Sequence, residues 1–97
     1  MLWQQGDVLM EPVSRIKGER LAHKRLAEGE ATGHAHVAVA DDVVIYEEGE
    51  TIYLDAPTGT EIAHEEHATV TLPPGTYRVR KVREFDHFAE EARNVQD

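Results

Sequence analysis

Four of the six histidines fall into two tight clusters, Gly-His-Ala-His at 33–36 and His-Glu-Glu-His at 64–67. Both clusters lie within residues 26–77, a segment that contains eleven Asp and Glu but no Lys or Arg. Neutral imidazoles and carboxylates without competing cations are what a divalent metal needs as ligands. The sequence therefore predicts a metal site, for which we expect zinc first, with iron, nickel and manganese as alternatives.

The first cluster predicts metal ligands on a strand. His34 and His36 are two residues apart, so on a strand they share one face with their α-carbons about 6.8 Å apart. If residues 41–42 form a two-residue turn, the strands on either side pair, and His36 lies opposite Glu47. Opposed residues share a face with their β-carbons about 5 Å apart. We therefore expect His34, His36 and Glu47 as ligands, and a one-residue bulge would replace Glu47 with Glu48.

The second cluster needs an irregular backbone before it can contribute fully. His64 and His67 are three residues apart and cannot share a face of a regular strand, but a turn, bulge or helical turn brings them together. We expect one or both to close the same site, and a histidine that does not coordinate would serve as an outer hydrogen-bond partner. Glu65 and Glu66 could fill that outer role or act as a base on metal-bound water. The simpler alternative for both clusters is structural or solvated histidines.

A basic segment follows the acidic one. Residues 77–83 alternate Tyr77 and apolar positions with Arg78, Arg80 and Lys81. In one interpretation, Arg78 and Arg80 pair with acidic strands beside them and add little stability. In the other, Arg78 or Arg80 binds the carboxylate or phosphate of a small anionic substrate next to the metal, with Tyr77 as a further donor. Tyr77 also fits a core position.

Composition limits the classes of function. The 97 residues, 40% of them hydrophobic, suit a single domain spanning 1–97. A formal charge of −9 opposes general binding to nucleic acids or membranes, and no apolar run is long enough to cross a bilayer. The chain has no cysteine, which excludes disulfides and thiolate ligands. We expect a soluble, cytoplasmic protein.

Short apolar alternations separated by turn residues predict about eight strands. Turns are expected at 49–50, 56–59 and 73–75, where Gly and Pro hold their favoured positions. This spacing predicts an all-β fold, either a small antiparallel barrel or a sandwich. Residues 19–27 fit a short helix or a loop leading into a strand, and Asp86 fits the N-cap of a short C-terminal helix.

Two resemblances accompany these patterns. The His-x-His strand, the downstream glutamate, the later histidines and the turn at 74–75 resemble a cupin. That resemblance implies a cupin-like sandwich with His34 and His36 as ligands. Residues 6–9, 27–36, 64–67 and 72–79 are similar to a family of small bacterial and phage-borne proteins of unknown function. That resemblance implies that these segments form one unit and implies no activity.

Three classes of function remain open. The leading hypothesis is a metal-binding β-domain that either only binds the ion or uses it for hydrolysis or a cupin-like reaction. The second is a metal-independent phosphodiesterase or ribonuclease, in which one histidine is the base, another is the acid, and Arg78 or Lys81 stabilises the phosphorane. The third is an interaction module that forms homo-oligomers sensitive to salt, because the acidic segment of one subunit docks on the basic strand of another.

Overall fold

The computed structural model of the chain describes residues 1–28 and 35–81. Within these ranges the chain forms ten short strands. The strands are β1 (Trp3–Gln5), β2 (Val8–Pro12), β3 (Glu19–Leu21), β4 (Arg25–Glu28), β5 (Ala35–Ala38), β6 (Val44–Glu48), β7 (Thr51–Ala56), β8 (Thr60–Ala63), β9 (Val70–Leu72) and β10 (Gly75–Lys81). Across the same ranges there is no helix that could cross a membrane.

The strands form two antiparallel sheets. The six-stranded sheet has the order β1-β2-β10-β7-β6-β3, and the four-stranded sheet has the order β4-β5-β8-β9. The prediction of an all-β fold is therefore confirmed, as a sandwich-like arrangement and not a closed barrel. The proposed C-terminal helix after Asp86 lies outside the described residues.

Predicted turns join several of these strands. Gly49 has φ +60° at the tip of the β6–β7 hairpin, where Glu48 pairs with Thr51. Glycine is favoured at this position of a two-residue hairpin turn, because the residue there adopts a left-handed backbone conformation. Gly59 has φ +82° and donates its amide to Ala56 O at 3.1 Å, at the point where the chain passes from β7 in one sheet to β8 in the other. The turns at 49–50 and 56–59 are confirmed.

Alternating side chains from both sheets meet in one core. On β10, Tyr77 and Val79 are buried while Arg78 and Arg80 lie on the opposite face of the strand. Burying a large apolar side chain stabilises the fold by about 1.5–3 kcal/mol. The buried core members are Val8, Met10, Leu26, Ala38, Val43, Ile45, Leu54, Ala56, Ile62, Val70, Leu72, Tyr77 and Val79.

The predicted pairing across the turn at 41–42 is wrong. The turn itself forms, since Val43 donates its amide to Ala40 O at 3.4 Å. However, β5 pairs with β4 and β8, whereas β6 pairs with β3 and β7. Glu47 accordingly lies opposite Glu19 and Ile52 in the six-stranded sheet, and it does not lie opposite His36.

Hydrogen bonds to the Thr60 side chain explain why β5 and β6 do not pair with each other. Its hydroxyl oxygen accepts hydrogen bonds from the amides of Val39 at 3.2 Å and Ala40 at 3.0 Å. The Val39 amide also donates to Glu61 O at 3.0 Å. Backbone donors at the end of β5 are therefore satisfied by β8, which leaves β6 to pair elsewhere.

Residues 19–27 form strands and no helix. They contain β3, which pairs with β6, and most of β4, which pairs with β5 in the other sheet. The helical alternative for this segment is therefore wrong. The alternative of a loop leading into a strand agrees with residues 22–24, which connect the two strands.

Candidate metal centre

Three histidines converge where the β1–β2 turn meets the four-stranded sheet. His36 lies on the inward face of β5, and His64 and His67 lie on the segment 64–69 that connects β8 to β9. Ring centroids are 4.3 Å apart for His36 and His64, 4.6 Å for His64 and His67, and 6.1 Å for His36 and His67. The structure thus brings members of both sequence clusters together. His34 lies outside the described residues.

Gln5 fixes the tautomer of His36. The Gln5 side-chain amide donates to Ile62 O at 2.7 Å and to Ala68 O at 2.9 Å, which uses both of its hydrogens. Its carbonyl oxygen, 2.9 Å from His36 Nδ1, can therefore only accept. His36 must carry a hydrogen on Nδ1, and in the neutral ring Nε2 is then an unprotonated lone pair.

That lone pair faces a carboxylate. His36 is fully buried, and its Nε2 has no hydrogen-bond partner among the described residues, although Asp7 Oδ1 lies 3.4 Å away. Burial is the largest influence on His36 and lowers its pKa, and His64 and His67 add to this lowering, whereas both the charge on Asp7 and its close contact with the ring raise the pKa. The neutral ring is thus favoured, which leaves two electron-pair donors facing each other. A cation between them would relieve this repulsion.

Gly6 makes room for His67. Gly6 and Asp7 form the tight turn between β1 and β2, in which Gly6 has φ +58°. A β-carbon on Gly6 would lie 2.4 Å from His67 Nε2, well inside van der Waals contact. The His67 ring therefore rests directly on the backbone that precedes Asp7.

Backbone contacts hold the 64–67 segment. The Glu66 amide donates to His64 Nδ1 at 3.0 Å, so a neutral His64 ring carries its hydrogen on Nε2. The Glu65 carboxylate accepts from the Ala35 amide at 3.3 Å, which ties the segment to the start of β5. Glu65 thus contacts backbone at the edge of the site, and in this arrangement its carboxylate positions the segment.

One lysine side chain reaches the site, although residues 26–77 contain no Lys or Arg. Lys81 Nζ lies 4.0 Å from Asp7 Oδ2, because Lys81 pairs with Val8 at the end of β10. Asp7 therefore lies between His36 on one oxygen and Lys81 on the other. Lys81 is half exposed, so this contact adds little stability.

Four predicted site residues lie elsewhere in the fold. Arg78 pairs with Glu11, its direct cross-strand neighbour, on the outer face of the six-stranded sheet. Arg80 shares that face. Glu47 is exposed on β6. For Arg78, the structure shows an ion pair with the neighbouring strand β2, as one of the two interpretations of the basic segment expects.

Tyr77, the fourth, belongs to the core. Its hydroxyl donates to Pro73 O at 2.5 Å, and its ring meets Trp3 edge-on with centroids 5.6 Å apart. Burial raises the pKa of Tyr77 above its usual value of 10.0. These contacts describe a structural tyrosine that is already hydrogen-bonded.

Sequence reasoning missed Gln5, Gly6 and Asp7. A local signal existed, because Gly-Asp between two strand-like runs is a strong two-residue hairpin pattern. That pattern predicts the turn, but it does not show that the turn meets His36, which is 31 positions from Gln5.

The histidine cluster contains candidate metal ligands but no complete ligand set among the described residues. Within 1–28 and 35–81, no three His, Asp or Glu side chains are already arranged to hold a metal ion. His36 and Asp7 face each other, but the Nδ1 atom of His64 accepts from the Glu66 amide. The cluster therefore brings imidazole and carboxylate groups, which are usual metal ligands, close together. Of the imidazole nitrogens, His36 Nε2 carries a lone pair that accepts no hydrogen bond from a described residue.

Comparison with known proteins identifies the family of the chain but assigns no activity to it. No curated protein and no solved structure matches it. Residues 4–82 match a family described as a domain of unknown function, DUF8820. This range includes the β1–β2 turn, β5 and the segment between β8 and β9. The chain belongs to this uncharacterised family.

Proposed function

We propose that the protein is a small metal-binding β-domain whose divalent ion binds between His36 Nε2 and Asp7. The observation that carries the proposal is the buried Nε2 lone pair of His36, which has no hydrogen-bond partner among the described residues and lies 3.4 Å from a carboxylate oxygen. Buried polar atoms are nearly always satisfied, so such an atom calls for an unseen partner. A cation satisfies both Nε2 and the carboxylate.

The surrounding side chains can complete a ligand set. His64 and His67 lie within ring contact of His36 or of each other, and imidazole with carboxylate is a usual zinc environment. For His64 to coordinate through Nε2, its Nδ1 must give up the hydrogen bond from Glu66. His67 is exposed and His64 is half-buried, so reorienting them disturbs little packing. Zinc is the first choice, and iron, nickel and manganese accept the same donors.

Solvent access favours an open site. Asp7 is 29% exposed and His67 is exposed, so one side of the cluster faces water. Closed structural zinc sites have four protein ligands, whereas catalytic sites keep a position open. Metal-assisted hydrolysis is the reaction class that such a site supports.

Elemental analysis of the purified protein tests the proposal. We expect about one equivalent of metal, retained after dialysis, and a loss of metal in Asp7→Asn and His36→Ala. His23→Ala is the matched control, since His23 is exposed and lies outside the cluster. Asp7→Asn keeps the test decisive if His36→Ala does not fold.

Two outcomes would overturn the proposal. One is folded protein that takes up no zinc after chelation and reloading. The other is equal metal loss in the His23 control, which would indicate nonspecific binding. Phosphodiesterase activity that persists in excess chelator would instead support metal-free acid–base chemistry by the histidines.

A further inference from the structure

The connection from β2 to β3 crosses the outer face of the six-stranded sheet. Three strands lie between β2 and β3, which separates them by about 19 Å at the usual strand spacing. The seven steps from Pro12 to Glu19 can span at most about 25 Å. Residues 13–18 can therefore make this crossing, and they use about three quarters of their full reach.

Both ends of this connection are fixed. At one end, the Val13 amide donates to Thr76 O at 3.0 Å and the Thr76 hydroxyl donates to Val13 O at 2.5 Å. At the other end, Gly18 lies so close to the Glu47 backbone that a β-carbon would be 2.1 Å from Glu47 O. Residues 13–18, which we call the strap, are therefore fixed to β10 at one end and to β6 at the other.

An open surface pocket of about 520 Å³ lies between this strap and the sheet. Its floor includes Tyr53 and Arg78, which oppose each other across β7 and β10 and point away from the core. Tyr53 is only 7% exposed although it lies on the outer face, which shows how closely the strap covers it. The volume falls in the usual range for small-molecule sites.

The pocket is cationic in an otherwise acidic chain. Arg15, Lys17 and Arg78 line it, against one carboxylate, Glu11, in a protein of formal charge −9. Glu11 accepts a hydrogen bond from one terminal nitrogen of Arg78, which orients the guanidinium. Arg78 Nε is buried without a hydrogen-bond partner among the described residues. Three cationic side chains around one pocket are the donors that an oxyanion requires.

We infer that this pocket binds a small molecule that carries an oxyanion, either a phosphate ester or a carboxylate. Arg78 is the fixed contact, and the exposed Arg15 and Lys17 close on the anion from the strap. Tyr53 supplies an aromatic wall. The site does not depend on the proposed metal, because Arg78 lies on the face of β10 opposite the core residues Tyr77 and Val79.

Titration followed by amide NMR spectra tests this inference. The probes are inorganic phosphate and succinate, each compared with sodium chloride at equal ionic strength. We expect saturable shifts at residues 13–17 with one of the two probes, and the probe that saturates identifies the type of oxyanion. Saturation with neither probe would overturn the inference.

A pair of variants separates the pocket from general charge. Arg15→Gln should weaken the saturating interaction about tenfold, because one charge-assisted contact is lost. Arg20→Gln removes the same charge from another exposed position, on β3, and should leave the affinity unchanged. Equal weakening by both variants would show nonspecific attraction and contradict the inference.

Discussion

The Gln5 side-chain oxygen accepts a hydrogen bond from His36 Nδ1 at 2.9 Å, which joins a strand of one sheet to a strand of the other. Because Gln5 also donates to the carbonyls of Ile62 on β8 and Ala68 in the connection that follows it, the Gln5 oxygen can only accept and His36 Nδ1 must donate. It directs the free lone pair of His36 toward Asp7. The proposed metal site follows from this arrangement.

Replacing Gln5 should affect both stability and metal binding. Gln5→Met keeps the length of the side chain but removes three hydrogen bonds, two of them buried, and we expect a loss of about 2–3 kcal/mol in the free energy of unfolding. Zinc affinity should fall about 10–100-fold, as for loss of an outer partner of a ligand. Urea denaturation and zinc titration measure the two effects. Gln4→Met, which removes one contact to Gly6 O, should show less than half the loss of stability.

Gly6 and Gly49 provide a matched pair for the His67 contact. Their φ angles are +58° and +60°, but a β-carbon on Gly6 meets His67 while one on Gly49 meets nothing within 4 Å. Gly49→Ala should therefore cost only the backbone strain, about 1 kcal/mol. Gly6→Ala should cost about the same in urea denaturation, because the exposed His67 ring can swing aside, but it should weaken zinc binding by displacing that ring. Equal zinc affinity of the two variants would show that metal binding does not depend on the contact between His67 and Gly6.

Removing Lys81 should strengthen metal binding. Its ammonium group lies 4.0 Å from Asp7 Oδ2 and opposes a second cation at the site. Lys81→Gln should raise zinc affinity about two- to fivefold at low salt, with a smaller gain at high salt. Calorimetric titration measures the change. Lys17→Gln alters the net charge equally on the outer face, so an identical gain there would refute the local explanation.

Tyr77 should make the fold sensitive to alkaline pH. Burial raises its pKa in the folded state above the unfolded value near 10.0, so the folded state favours the neutral hydroxyl. This stabilising contribution is complete below pH 10 and is lost as pH rises through the folded pKa. Tyr77→Phe should lose about 1 kcal/mol at neutral pH and show a shallower alkaline decline in urea denaturation. An alkaline decline as steep in Tyr77→Phe as in the unmodified protein would contradict this role of Tyr77.

Local patterns in the sequence account for much of the fold. Gly49 and Gly59 mark turns because each occupies a left-handed conformation. Alternation around His36 and Ala38 correctly indicates an inward-facing side of β5. The turn at 41–42 gives a wrong prediction of strand pairing. A two-residue turn between apolar segments can join two paired strands of a hairpin, or it can join two strands that belong to different sheets. The Thr60 hydroxyl decides between them, and no local pattern reveals that contact.

The candidate site is predictable only in part. Spacing and composition single out His36, His64 and His67, which the structure brings together. Asp7 and Gln5 join them through pairing between distant segments, which sequence spacing does not encode. Likewise, the absence of Lys and Arg from residues 26–77 does not indicate that Lys81 contacts Asp7. That contact depends on the register of β10 against β2.

The protonation and metal binding of the His36 ring are the decisive test of the proposed metal site. Long-range ¹H–¹⁵N spectra of the imidazoles distinguish a protonated, a free and a metal-bound nitrogen. In chelator-treated protein, we expect hydrogen on Nδ1 and a free Nε2. One equivalent of zinc should then shift the Nε2 resonance and leave the Nδ1 hydrogen in place. Hydrogen on Nε2 in the metal-free protein, or an Nε2 resonance that zinc leaves unchanged, would contradict the proposed metal site.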